Sequence, residues 1–191
     1  MLQRIKFALI IFSFFTFLTG LGYPLLITGV AQVLFPRQSN GSLLFIRNSI
    51  PIGSALIGQS FTGPNYFWGR PSATSGKPYN AGMSGGSNYS ALNGNLLDRV
   101  RLSVDFLHAN SPANVTQIPV DLVTSSASGL DPHISPASAY FQVPRVAHER
   151  FIPEEKLWLL VQKHIEPPFL GIFGEPRVNI LMLNLALDSL Q

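Results

Sequence analysis

An uncharged apolar stretch at residues 7–35 constrains this chain more than any other feature. Its sequence, FALIIFSFFTFLTGLGYPLLITGVAQVLF, contains no Asp, Glu, Lys, Arg or His. About 20 apolar residues in an α-helix cross the ~30 Å hydrocarbon core of a bilayer. A lone segment in lipid must satisfy its own backbone hydrogen bonds, which requires a helix. We therefore predict a single transmembrane helix at residues 7–35.

The charges that flank this stretch predict its orientation. Arg4 and Lys6 precede the apolar run, whereas only Arg37 lies close behind it. Under the positive-inside rule, residues 1–6 stay in the cytoplasm and residues 36–191 are exported. The expected location is the inner (plasma) membrane, crossed once, with the C-terminal domain on the periplasmic side.

The alternative to an anchor is a cleaved signal peptide, since residues 29–31 offer a weak small-residue cleavage site. The apolar run is about twice the 7–15 residues of a signal-peptide core, which favours an uncleaved anchor. Gly22, Gly29 and Gln32 lie near one face of the predicted helix, where small residues and an amide favour contact with another helix. The alternative is that the glycines face lipid and that Gln32 already lies at the interface.

Beyond the anchor, the composition favours one domain with many ordered loops. Arg4 and Lys6 account for two of the 13 basic residues, so the exported part carries 11 basic against 10 acidic residues. This balance, with no basic stripe among aromatics, argues against nucleic-acid binding. The chain has no cysteine, which excludes disulfides, thiol catalysis and thiolate metal sites. Sixteen Gly and 15 Pro beside 46% hydrophobic residues indicate loops that are packed.

Hydrophobic periodicity predicts an α+β or α/β domain after the anchor. Short apolar runs predict strands at residues 42–46, 54–61 and 117–124, and helical spacing predicts helices at residues 93–107, 136–150 and 153–164. Pro144 is expected to kink or split the second of these helices. Residues 178–187 are apolar at nearly every position, which favours a buried strand but also fits a helix. The polar stretches 62–95 and 125–136 are predicted to be ordered loops.

Two short motifs bear on catalysis. Residues 82–86 match GxSxG, the nucleophile elbow of α/β-hydrolases, but the sequence around Ser84 lacks the strand and helix that an elbow needs. Asp131 and His133 place a carboxylate near an imidazole, although neighbouring residues rarely orient one another as a catalytic triad requires. The four histidines form no HxxxH or HxH pair, which argues against a metal site. We predict neither catalytic residues nor metal ligands.

Longer blocks of the sequence resemble one family. The blocks are GYPLLITGVAQVLFP, GSALIGQSF, YFWGRPSAT, PYNAGMSGGSN, IPVDLVTSSASGLDPHISPASA, QVPRVA and PRVNILMLNLALD, and they extend over about residues 20–188. They resemble the C subunits of the bacterial Kdp potassium-transporting ATPase. The resemblance implies one membrane helix and a soluble domain in a non-catalytic accessory subunit of an ATP-driven, high-affinity potassium uptake complex.

The resemblance also implies partners and a cofactor. The partners are a channel-like potassium-binding subunit, a P-type ATPase subunit and a small helical subunit, besides the lipid bilayer. The cofactor is ATP, which the pump subunit binds. The family is described as a catalytic chaperone that raises the affinity of the pump subunit for ATP. The DKTGT motif that carries the phosphorylated aspartate of the pump is absent from this chain.

The family-like blocks indicate the site residues. The stretch Ser84, Gly85, Gly86 and Ser87 resembles the LSGGQ signature that caps ATP in transporter ATPases. The other candidates are Trp68, Arg70, Tyr79, Asn80, Asp121, Asp131, His133 and Arg145, each with loop architecture as the alternative role. Because Ser84 is predicted outside, we expect the exported domain to act on ATP affinity indirectly. The alternative functions are a stand-alone membrane-tethered exported binding domain and a periplasmic hydrolase built on Ser84.

Overall fold

The computed structural model describes residues 1–46, 50–111 and 116–190. It divides into two compact units, Met1–Ile52 and Gly53–Gln191. The first unit holds the membrane-length helix, and the second holds the soluble domain.

Helical structure runs through most of the first unit. Helix α1 (Leu2–Phe17) leads through a π-helical turn (Leu18–Gly22) into α2 (Tyr23–Leu34). The π turn ends two residues before Pro24, whose ring has no N–H to donate and would crowd the carbonyl four residues earlier in a regular α-helix. In the part of the chain that the structure describes, Leu2–Leu34 is the one helix long and apolar enough to cross a membrane. The predicted single N-terminal membrane helix is confirmed, and it begins at Leu2.

A short helix and a two-stranded sheet follow α2 in the chain. Helix α3 (Pro36–Ser39) is followed by β1 (Leu43–Ile46) and β2 (Ile50–Ser54), which pair with each other. The strand predicted at residues 42–46 is confirmed. The strand predicted at residues 54–61 is wrong, because the chain turns after Ser54 and the Gly58 N–H donates to the carbonyl of Leu130 in another loop.

The second unit is an α+β domain. Its helices are α4 (Gly94–Asn110), α5 (Pro136–Arg150), α6 (Glu154–Lys163) and α7 (Ile180–Asp188). Its strands are β3 (His133–Ile134), β4 (Ile165–Glu166) and β5 (Arg177–Asn179), in the order β3-β5-β4 with both pairs antiparallel. The predicted fold class is confirmed, and the antiparallel pairing is typical of α+β proteins.

Two strand predictions in this unit are wrong. Residues 117–124 contain a 3₁₀ turn (Val120–Leu122) whose Asp121 carboxylate accepts from the N–H of Ser135, the N-cap residue of α5. Residues 178–187 form mainly α7, because Asn179 ends the strand and its side chain accepts a hydrogen bond from the Met182 N–H at the start of the helix. The helix is apolar on most sides because it is buried.

The core lies where α5, α6, α7 and β5 meet. Its fully or almost fully buried side chains are Phe67, Ala139, Val143, Val146, Leu157, Val161, Val178, Leu183 and Leu187. Pro144 does not split α5, since buried residues on both sides of it hold the helix in place. A smaller cluster of Trp68, Leu107, Leu122 and Phe141 packs α4 against the rest of the domain.

Candidate functional site

An aromatic loop, residues 63–68, runs through the middle of the second unit and is held by two buried amides. The Phe67 N–H donates to Asn184 Oδ1 and its carbonyl accepts from Asn184 Nδ2, both at 2.9 Å. The Trp68 N–H donates to Gln142 Oε1 at 2.7 Å, and its carbonyl accepts from Gln142 Nε2 at 3.1 Å. Both amide side chains belong to residues only 1% exposed, so these four hydrogen bonds replace backbone pairing in the interior.

Arg145 fixes the same loop from a second direction. Its guanidinium lies 3.5 Å from the centre of the Trp68 ring and donates to the carbonyls of Pro64 and Tyr66. Burial lowers the pKa of Arg145 to about 10, and the charge of Glu149 opposes that shift. The group is charged at neutral pH, so Arg145 and Trp68 form a buried cation–π pair with an architectural role.

Sequence reasoning missed Gln142 and Asn184. It also missed Arg150, whose Nε donates to the Asn65 carbonyl at 2.7 Å and whose Nη2 pairs with Asp188 at 2.6 Å. All three residues contact positions far from them in sequence. The one available signal was the presence of polar residues inside otherwise apolar helical segments, which predicts buried polar contacts.

A charged cluster joins one loop to the small sheet. Arg70 Nη1 lies 3.4 Å from Asp131 Oδ2, and Asp131 Oδ1 lies 3.3 Å from His133 Nδ1. His133 Nε2 lies 3.9 Å from Glu166 Oε2, which accepts from Arg177 Nε at 3.0 Å. Burial alone raises the pKa of the Asp131 carboxyl, but hydrogen bonds from His133 and the nearby positive charges hold it below its usual value. Asp131 is therefore ionised in the folded domain at neutral pH.

This charged cluster lines two open clefts, of about 630 and 580 Å³. Arg70 and Asp131 border both of them. Arg70 also donates to the carbonyls of Thr124 and Ser125, so its charge is already used to fasten the following loop. Residues 1–46, 50–111 and 116–190 contain no group of three or more His, Cys, Asp or Glu side chains arranged to hold a metal ion.

Tyr79 anchors the other end of the long loop. Its hydroxyl donates to the Arg70 carbonyl at 2.6 Å, and its N–H donates to Ser72 Oγ at 2.9 Å. The pKa of Tyr79 is raised to about 12, chiefly by burial and further by the charge of Asp131, while Arg70 opposes the shift. A Cβ at Gly58 or at Gly69 would collide with the Tyr79 ring or hydroxyl, which accounts for glycine at both positions.

Asn80 and Asp121 have local structural roles. Asn80 Oδ1 accepts from the Gly82 N–H and caps the 3₁₀ turn Ala81–Met83. The Asp121 carboxylate accepts from the N–H and hydroxyl of Ser135 and from the Ser138 hydroxyl. This arrangement places a negative charge at the N-terminus of α5, where the helix dipole favours it.

The stretch Ser84–Gly85–Gly86–Ser87 packs along residues 126–129. Ser84 Oγ and the Gly85 N–H both donate to the Ser128 carbonyl, at 3.0 and 2.9 Å. A Cβ at Gly86 would lie 2.9 Å from the Ala127 carbonyl oxygen, so the close approach of two backbones requires glycine there. Ser84 Oγ and the Gly85 N–H therefore already have a protein acceptor, so neither donor is free to bind a phosphate oxygen.

The nucleophile-elbow interpretation of Ser84 also lacks its structural context. The residues before Ser84 form the 3₁₀ turn Ala81–Met83 instead of a strand, and residues 84–90 after it form no helix. The Ser84 hydroxyl donates to a carbonyl, which cannot act as a general base.

The candidate residues of the membrane helix have different surroundings. Gln32 already has a partner within its own unit, since its Oε1 accepts from Asn40 Nδ2 at 3.2 Å. Gly22 ends the π turn, and a Cβ there would lie 3.7 Å from the Phe17 carbonyl oxygen. No atom of the described residues lies within 4 Å of a Cβ built at Gly29, so this glycine leaves open space beside the helix.

Comparison with known proteins identifies the family. A sequence model described as "KdpC: K+-transporting ATPase, c chain" matches residues 5–189. The chain is 57% identical over 184 residues to the potassium-transporting ATPase KdpC subunit of Polaromonas naphthalenivorans (strain CJ2), covering 96% of this chain and 93% of that protein. The KdpC subunit of Variovorax paradoxus (strain S110) is 53% identical over 185 residues, covering 97% and 95%. The chain therefore belongs to the KdpC family, the c chains of K+-transporting ATPases.

Proposed function

We propose that this chain is a non-catalytic accessory subunit of an ATP-driven, high-affinity potassium uptake complex in the inner membrane. Its partners are a channel-like potassium-binding subunit, a P-type ATPase subunit that hydrolyses ATP, and a small helical subunit. The observation that carries the proposal is the family match over residues 5–189, on a chain that joins one membrane-length helix to one α+β domain.

The architecture of the second unit supports a binding role. Most of the polar groups singled out from the sequence hold loops together, as Arg70, Tyr79, Asp121 and Arg145 do. A domain whose loops are fixed by buried polar contacts presents the same surface to a partner each time, so little entropy is lost on binding. A preorganised surface of this kind suits assembly with other subunits.

The proposed orientation places the N-terminus in the cytoplasm and the second unit outside. Arg4 and Lys6 on the N-terminal side support it. The chain has no cysteine, so a single Ser87→Cys substitution in intact cells gives one labelling site without background. An impermeant maleimide labels Ser87→Cys if the domain is exported, and does not label a Gln3→Cys control. Labelling of Gln3→Cys but not Ser87→Cys would overturn the orientation.

We further propose that the subunit raises the ATP affinity of the pump indirectly, by biasing the complex towards an ATP-competent state. Two features support an indirect route: the exported orientation, and the use of the Ser84 hydroxyl and Gly85 N–H in contacts to Ser128. An effect at a distance requires that the subunit contact the pump differently in two states.

The ATP dependence of potassium-stimulated hydrolysis tests this role. A complex that contains the chain should reach half-maximal rate at a lower ATP concentration than the complex depleted of it, and adding the purified chain back should restore the lower value. Ser87→Ala should leave that concentration unchanged. A half-saturating ATP concentration that is the same with and without the chain would contradict the chaperone role, while leaving membership of the complex intact.

A further inference from the structure

An apolar hairpin tip, residues 167–174, projects from the second unit between β4 and β5. Its sequence is PPFLGIFG, and none of its eight residues carries a polar side chain. Four large side chains are exposed in it: Phe169 (72%), Leu170 (73%), Ile172 (79%) and Phe173 (64%). Clusters of exposed large apolar side chains on a soluble domain mark a surface that meets lipid or protein.

The tip pairs four of its six backbone N–H groups internally. The N–H groups of Phe169 and Phe173 each donate to the carbonyl of the other, at 2.8 and 2.9 Å. The Gly171 N–H donates to the Pro168 carbonyl at 2.9 Å, and the Ile172 N–H donates to the Phe169 carbonyl at 3.2 Å. Backbone groups that enter a lipid layer must be paired internally, and these four donors meet that requirement.

The chemistry of the tip favours lipid over a protein pocket. Protein interfaces carry about one hydrogen bond per 100–200 Å², which calls for polar side chains among the apolar ones. The tip supplies none, whereas contact with acyl chains requires none. The charges that flank the tip in sequence are Glu166 and Glu175, where the polar headgroup region would accommodate them. Glu166 pairs with Arg177 at 3.0 Å.

The bilayer is also within reach. Only residues 35–52 separate the end of α2 from the second unit. A chain segment of this length spans at most roughly 60 Å when fully extended. The second unit is therefore permanently tethered close to a lipid surface, which makes even a weak contact effective.

We infer that the apolar hairpin tip inserts into the membrane interface and gives the domain a second contact with the bilayer besides its transmembrane helix. The four side chains would lie at the boundary of headgroups and acyl chains, as apolar faces of interfacial segments do. The inference does not depend on the chain's role in potassium uptake, since it concerns the domain and lipid alone.

The test uses the full chain reconstituted into vesicles of phosphatidylethanolamine and phosphatidylglycerol. Because the chain has no cysteine, Ile172→Cys carries a single environment-sensitive NBD label, and Leu92→Cys, which is 94% exposed in wild type, is the matched control. We expect the label at position 172 to emit at shorter wavelength than the control label, and to lose most of its emission when the lipids carry a doxyl quencher. The Leu92→Cys label should lose little.

A second variant tests whether the apolar side chains of the tip cause the contact between the label and lipid. Adding Phe169→Ser and Phe173→Ser to the labelled Ile172→Cys chain removes apolar side chains that are exposed, so the fold should survive and quenching should fall towards the control. Equal quenching of the two single labels, or unchanged quenching in the serine variant, would overturn the proposal. A label at position 172 whose emission shifts only when the other subunits are added, and which the lipid quencher does not reach, would also overturn the proposal. The tip would then bind a protein pocket instead of lipid.

Discussion

The side-chain amide of Gln142 on α5 pairs with both main-chain polar groups of Trp68, which precedes it by 74 residues. Asn184 on α7 pairs in the same way with Phe67. Phe67 and Trp68, two consecutive loop residues, are therefore fixed between α5 and α7. The two amide side chains hydrogen-bond their backbone groups as a neighbouring β-strand would. This arrangement explains how a loop rich in Gly, Pro and aromatics is ordered without secondary structure of its own.

Replacing Gln142 with Leu should destabilise the second unit strongly. The substitution leaves a buried N–H and a buried carbonyl of Trp68 unpaired, and each unpaired group costs about 1–3 kcal/mol, so we expect a loss of at least about 2 kcal/mol. Urea unfolding of the full chain in detergent, followed by tryptophan fluorescence, measures it. Gln162→Leu, at an exposed position on α6, is the matched control and should change stability little. Equal effects of the two changes would contradict the role of Gln142.

The two glycines of the SGGS stretch should respond differently to alanine. Gly86→Ala places a Cβ 2.9 Å from the Ala127 carbonyl oxygen, and such overpacking costs about 1–3 kcal/mol. Gly85→Ala meets no described atom within 4 Å and should change the free energy of unfolding by less than about 1 kcal/mol. The same urea titration checks both variants. A changed ATP dependence in Gly85→Ala at unchanged stability would instead indicate a nucleotide-capping role.

Tyr79 should ionise later than an ordinary tyrosine. Its pKa is raised in the folded domain from 10.0 to about 12, so the folded state holds the phenolic proton more tightly than the unfolded state does. The resulting stabilisation is fully present below pH 10 and is lost as the pH rises from 10 towards 12. Absorbance titration of tyrosinate should show a late phase that Tyr79→Phe removes and Tyr89→Phe retains. A late phase that persists in Tyr79→Phe would refute the assignment.

Gly29→Leu should weaken assembly without disturbing the chain itself. A Cβ at position 29 meets no described atom within 4 Å beyond the neighbouring backbone of its own helix, so we expect a loss of partner subunits to report contact with another helix. Val30→Leu, at a neighbouring position that already carries an apolar side chain, is the control. The measurement is the amount of partner protein retained when each tagged variant is purified in mild detergent. Full retention by Gly29→Leu would place this glycine against lipid.

Local signals in the sequence were sufficient for the regular helices. Helix α5 follows Ser135 and Pro136, and α6 follows Pro153 with Glu154 and Glu155 in its first turn, as capping rules predict. The apolar run at the N-terminus likewise predicted the membrane-length helix. These elements depend on neighbours in sequence, so a pattern of a few residues is enough to locate them.

The features that local sequence patterns did not predict depend on contacts between residues far apart in the chain. Residues 178–187 are apolar at nearly every position. A helix can be apolar on most of its faces here because it is buried among α5, α6 and Phe67. The role of Asp121 at the N-terminus of α5 depends on the hydroxyls of Ser135 and Ser138, which lie outside its own segment. The partners of Gln142 and Asn184 lie 74 and 117 residues away, beyond the reach of periodicity or capping rules.

Purification of the tagged chain from native membranes in mild detergent, with potassium-dependent ATPase assayed in the eluate, tests whether the chain is a subunit of a potassium uptake complex. We expect a large P-type ATPase subunit and a many-helix channel subunit to purify with the chain, and the eluate to hydrolyse ATP in response to potassium. Recovery of the 20.9 kDa chain alone, without ATPase activity, would contradict it and favour a stand-alone membrane-tethered binding domain.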